Sequence, residues 1–100
     1  MKIAGINYKV TLFDRETDES NDGNVWLRKA KMRVVRGDVQ YMQQTLWHEI
    51  LHAILAVNGD RELAQDEAFV SRTSSAIHQV LQDNPDLYAE IREKESDRHR

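Results

Sequence analysis

His48, Glu49 and His52 stand in an H-E-x-x-H spacing, with Ile50 and Leu51 between the second and third of them. On an α-helix, positions i and i+4 lie one above the other on the same face. Two imidazoles so placed can grip one zinc ion at about 2.0–2.1 Å. Glu49, one step past the first ligand, projects beside the metal rather than onto it. From there it can take a proton from a metal-bound water. A chain of this composition carries the pattern by accident about one time in a hundred, so the flanks matter. Thr45-Leu46-Trp47 leads in, and Ile50, Leu51, Ala53 and Ile54 surround the histidines with uncharged side chains. That suits a buried helix whose polar atoms are spent on a metal.

Catalytic zinc takes three protein ligands and keeps one position open for water. The chain has no cysteine, so His, Asp and Glu are the available donors. The extended motif H-E-x-x-H-x-x-G-x-x-H fails twice, because Leu55 stands at its glycine and Asn58 at its third histidine. A carboxylate from the following helix remains. With two antiparallel helices joined at Gly59-Asp60, His52 and Glu67 lie equally far from the turn and face each other. Asp60 and Glu62 are too near the turn, and Asp66 points about 100° away around the helix. Glu67 is the predicted third ligand.

The elements that must position these residues follow from periodicity. Ile6, Tyr8, Val10 and Leu12 alternate with polar residues, predicting a half-buried strand within 2–13. Residues 14–24 are acidic and polar, and Asp22-Gly23-Asn24 is a turn signal, so a loop is expected there. Val25 to Val35 suggests two short strands turning near Lys29-Ala30. Asp38 is a plausible N-cap for a helix over 39–57, which Asn58-Gly59 stops. A second helix is expected over 61–81, ended by Asp83-Asn84-Pro85. A third starts there and runs to about Lys94. Strands followed by helices make an α+β domain. It comprises a small antiparallel or mixed N-terminal sheet, two antiparallel helices carrying the metal residues, and a short C-terminal helix.

One hundred residues make one small domain, with residues 94–100 as a charged, solvated tail. No run approaches the roughly 18–20 apolar residues of a membrane span, and the start lacks the apolar stretch of a secretory signal. With the absence of cysteine, that fits the cytoplasm. A net charge of −3 and a pI near 5.8 argue against general affinity for nucleic acid. The basic cluster Arg28-Lys29-Lys31-Arg33-Arg36 reads as the outer faces of strands. His78 shares a helix face with Glu67 but lies about 16 Å along the axis, too far for the same metal. It reads as a partly exposed helix residue, and His99 as part of the tail. Trp26 and Trp47 read as core or cleft wall. Tyr8 and Tyr41 could stabilise an oxyanion, and no spacing favours either.

Three blocks carry a resemblance: Thr45 to Ile54, Asp66 to Val70, and Gln79 to Leu87. Together they resemble the small phage and prophage zinc peptidase-like proteins, which are similar to minimal gluzincins of the ImmA/IrrE type. The resemblance covers most of residues 24–88, and the H-E-x-x-H block is its specific part. It implies zinc held by His48, His52 and Glu67, Glu49 as general base, and a small sheet packed beside the metal helix. The chain departs from it at Ser71, where the relatives carry a second acidic residue, and at His78, where tyrosine is usual. The expected activity is hydrolysis of a peptide or protein substrate, such as a repressor. A non-catalytic, zinc-stabilised regulatory domain of phage or prophage origin that binds another protein is the alternative.

Overall fold

The computed structural model describes residues 1–14 and 22–98. Five short strands precede four helices: β1 (Lys2–Ile3), β2 (Ile6–Asn7), β3 (Lys9–Phe13), β4 (Gly23–Trp26), β5 (Lys31–Val35), α1 (Val39–Val57), α2 (Arg61–Gln65), α3 (Glu67–Asp83) and α4 (Leu87–Arg98). The architecture is α+β, with the strands forming small N-terminal sheets against which the helices pack. Residues 15–21 of the expected loop, and His99, lie outside the described residues.

The first strand is not continuous. Ala4 and Gly5 both take positive φ, 50° and 81°, and turn the chain back so that β1 and β2 pair antiparallel. Two central residues in that region make a tight hairpin, for which glycine is suited. Only β3 enters the main sheet, whose order is β3-β5-β4. β3 runs parallel to β5 with Thr11 opposite Arg33, and β4 runs antiparallel to it with Val25 opposite Met32. The sheet is therefore mixed. The expected turn falls between β4 and β5, where Ala30 takes a φ of 51°.

Met32 and Val34 of β5 are fully buried and face α1. Ile3, Tyr8, Met32, Ile50 and Ala53 form the core, with Val25, Leu46, Trp47 and Ile54 around it. One side of α1 thus closes the core against the sheet and leaves the His48–His52 side to face α3. Tyr8 is 3% exposed in that core and cannot reach a substrate. Trp47 packs on the core as expected. Trp26 instead lies on the outer face of the sheet, with the Arg33 guanidinium 5.9 Å from its ring and 3.7 Å from that of Phe13. Within the basic cluster, Lys31 and Arg33 alternate with the buried Met32 and Val34, and Arg36 pairs with Asp14 at 3.6 Å.

α1 spans the expected residues. Asp38 caps it by accepting the Gln40 amide at 3.0 Å, and Gly59, at φ 83°, turns the chain after it. The expected second helix is broken. α2 lasts five residues, Asp66 becomes extended, and α3 begins at Glu67. The cause is Asp66, whose carboxylate accepts the Phe69 amide at 3.1 Å and so caps a new helix. Aspartate favours that role over a helix interior. α3 packs on α1 through a stripe of Val70, Ser74 and His78 at four-residue spacing. His78 is buried, not partly exposed, because it continues that stripe. After α3, Asn84 bonds back to the Val80 carbonyl at 2.8 Å, so α4 starts at Leu87, two residues beyond Pro85. It runs on to Arg98, past the expected end near Lys94. Among the described residues, no helix is long and apolar enough to cross a membrane.

Candidate metal centre

His48, Glu49 and His52 come from the middle of α1, where the apolar flanks bury the helix while the histidines turn towards α3. Glu67 comes from the first turn of α3. The His48 and His52 Nε2 atoms lie 3.1 Å apart. Glu67 Oε2 lies 3.0 Å from His48 Nε2, and Oε1 lies 3.0 Å from His52 Nε2. A zinc ion bound at about 2.0–2.1 Å in tetrahedral geometry sets its ligand atoms about 3.3 Å apart. The three groups therefore converge closely enough to share a small divalent cation, one ligand atom from each lying within 4.8 Å of the others. They form a group that could hold a metal ion.

The donor atoms are also prepared. His52 Nδ1–H donates to the Ala64 carbonyl of α2 at 2.6 Å, which leaves Nε2 as the ring's free lone pair. A backbone carbonyl behind a ligating imidazole fixes both its tautomer and its orientation. His48 Nδ1 has Ser71 Oγ at 3.5 Å, a looser hold than a carboxylate would give at that position on α3. The side chains of His48 and His52 are 23% and 16% exposed, and that of Glu67 is 68% exposed. Solvent thus reaches the cluster from one side, as an open coordination position requires.

Glu49 is buried, at 7% exposure. Burial raises its carboxyl from the usual 4.5 to about 7. The Glu67 charge adds to the rise, and His52 opposes it. That value suits a group that must both accept and release a proton near neutrality. Gly23 makes room for it: a Cβ there would sit 3.2 Å from Glu49 Cγ and 2.8 Å from Thr45 Cγ2.

The cluster opens into a cleft of about 980 Å³ between β4 on one side and α2 and α3 on the other. β4 is an edge strand, and Gly23, Asn24 and Val25 line the cleft. Tyr41 lines it as well, and its hydroxyl donates to the Asp22 carboxylate. Sequence reasoning brought the four central residues together. It missed Ala64, whose backbone carbonyl has no side-chain signal, and Gly23, which was taken for a turn residue. The neighbouring acids fall elsewhere: Asp66 caps α3, while Asp60 and Glu62 do not line the cleft. His78 does not line it either. No family model, curated protein or solved structure matches this chain.

Proposed function

We propose that the protein is a zinc-dependent metallopeptidase of the minimal gluzincin kind. The observation that carries this is the convergence of His48 Nε2 and His52 Nε2, 3.1 Å apart, with the two Glu67 carboxylate oxygens, each 3.0 Å from one of them. Two imidazoles and one carboxylate form a donor set suited to catalytic zinc, and with no cysteine in the chain a thiolate site is not available. When bound, zinc supplies Lewis acidity to a peptide carbonyl and acidity to a water molecule.

The chain's own residues supply the rest. Glu49, buried beside the cluster, takes the proton of the attacking water on its carboxylate and returns it to the departing amine. The Ala64 carbonyl keeps His52 in the required tautomer. The edge of β4 offers backbone donors and acceptors along one wall of the cleft, where an extended peptide can add as a strand. That favours a peptide over a compact small molecule.

Metal analysis combined with two substitutions tests the reading. Protein purified after zinc-supplemented growth is expected to hold about one zinc per chain. Glu67→Ala should lose most of that metal. Glu49→Gln should keep metal and fold while hydrolysis of an unstructured protein substrate falls by roughly a hundredfold or more. Wild-type protein that keeps no zinc, or Glu49→Gln that hydrolyses at the wild-type rate, overturns it.

A further inference from the structure

The cleft has a direction. Asp22 meets Tyr41 in the first turn of α1, and Gly23 lies against Thr45 and Glu49 in its middle. β4 therefore advances alongside α1 in the same sense. From Gly23 to Trp26 the strand covers about 10 Å, Leu27 follows it in the turn, and α1 covers about 10 Å from Glu49 to Ala56. Leu27 is thus level with Ala56, at the end of the cleft beyond His52, and both residues line it. Arg61 lines this end from α2.

Among the described residues, Arg61 is the only Lys or Arg that lines the cleft, and the acids that line it are Asp22 at the far end and Glu49 and Glu67 at the centre. No described residue holds Arg61 in an ion pair. Asp60 and Glu62 flank it in sequence but do not line the cleft. Arg61 is three residues before Ala64, so the two share a face of α2. Both residues line the cleft, so that face is the one turned to it. Arg28 and Lys29 follow Leu27 in the exposed β4–β5 turn and, like Asp60 and Glu62, do not line the cleft.

We infer that Arg61 is a specificity-determining residue that receives a substrate carboxylate at the His52 end of the cleft. The inference rests on the peptidase reading and names its substrate class: peptides carrying an acidic side chain, or a free C-terminal carboxylate, on that side of the scissile bond. A guanidinium presents two parallel N–H donors that match a carboxylate, and it stays charged at every working pH. A peptide therefore gains by placing its negative end over Arg61, which fixes the direction in which it lies as well as its composition.

A series of neutral, amidated peptides tests this, with one Glu or Gln placed at successive positions and a matching set ending in a free carboxylate. Binding is measured by calorimetry on zinc-loaded Glu49→Gln protein, and hydrolysis on zinc-loaded wild type. One Glu position, or the free terminus, is expected to bind about tenfold tighter than its neutral counterpart. The amidated pairs tell the two sources apart. Arg61→Gln should abolish the difference while keeping its zinc, and Arg61→Glu should invert it in favour of Lys. Hydrolysis with no acidic preference, or a preference that survives Arg61→Gln, overturns the Arg61 assignment and leaves the peptidase reading standing. A series that neither binds nor is hydrolysed overturns both.

Discussion

Gly23 shows how one missing methyl group can govern this site. A Cβ there would meet the Thr45 methyl at 2.8 Å, the Arg33 carbonyl at 3.1 Å and Glu49 Cγ at 3.2 Å. The first contact is with a stiff β-branched side chain and the second with backbone, so neither gives way easily. Gly23→Ala must push β4 off α1 or push Glu49 out of place. We expect about 1–3 kcal/mol of lost stability in urea unfolding, and a fall in hydrolysis beyond what any loss of zinc accounts for. Thr45→Ser removes the nearest atom, so the double variant should recover part of both losses. Equal losses in the single and double variants would show that Thr45 is not the obstacle. The sequence marks Gly23 as a turn residue because Asp-Gly-Asn is ordinary turn chemistry, and close packing leaves no local signature of its own. His48, Glu49 and His52 were legible for the opposite reason: their roles depend on helical spacing, which is local.

At the scale of elements, Glu67 faces His52 although the helix expected to carry it is broken. Treating residues 61–81 as one helix antiparallel to α1 puts position 67 opposite position 52, and Glu67 does meet His52 at 3.0 Å. The helix is nevertheless broken at Asp66, and the two pieces divide the work: α2 brings the carbonyl behind His52, and α3 brings the carboxylate in front of it. A helical spacing rule cannot foresee the break, because Asp66 reads equally well as a solvated helix residue. Asp66→Ala removes the cap of α3, at a cost of about 1 kcal/mol, and frees the turn that carries Glu67. Zinc affinity is expected to weaken several-fold, with helical content by circular dichroism almost unchanged. Asp66→Asn, which can still cap, should restore most of it. Affinity that is indifferent to both substitutions would mean that α3 holds Glu67 without the cap.

For the whole molecule, the site has a cost that the fold must carry. Strand alternation and helix stops made the α+β order readable, whereas the mixed pairing of the sheet depends on contacts between β3 and β5 across the chain. Between those layers α1 buries an ionisable group, Glu49, whose carboxyl stands at about 7 instead of 4.5 chiefly through burial, with His52 opposing the rise and the Glu67 charge adding to it. In the metal-free protein the sign of the linkage follows directly. Between pH 4.5 and 7 the unfolded chain has released this proton and the folded chain still holds it. Stability from Glu49 is therefore full below about 4.5 and erodes as the pH rises through 7, by up to about 1.4 kcal/mol per pH unit. Urea unfolding of chelator-treated protein from pH 4.5 to 8 should show this decline, and Glu49→Gln, which has no proton to lose, should flatten it. The difference between the two profiles isolates Glu49 from His48, His52 and Glu67, which both proteins share. Parallel profiles would mean that Glu49 titrates alike in the folded and unfolded chains, and its role as a proton carrier tuned by burial would fall with that result.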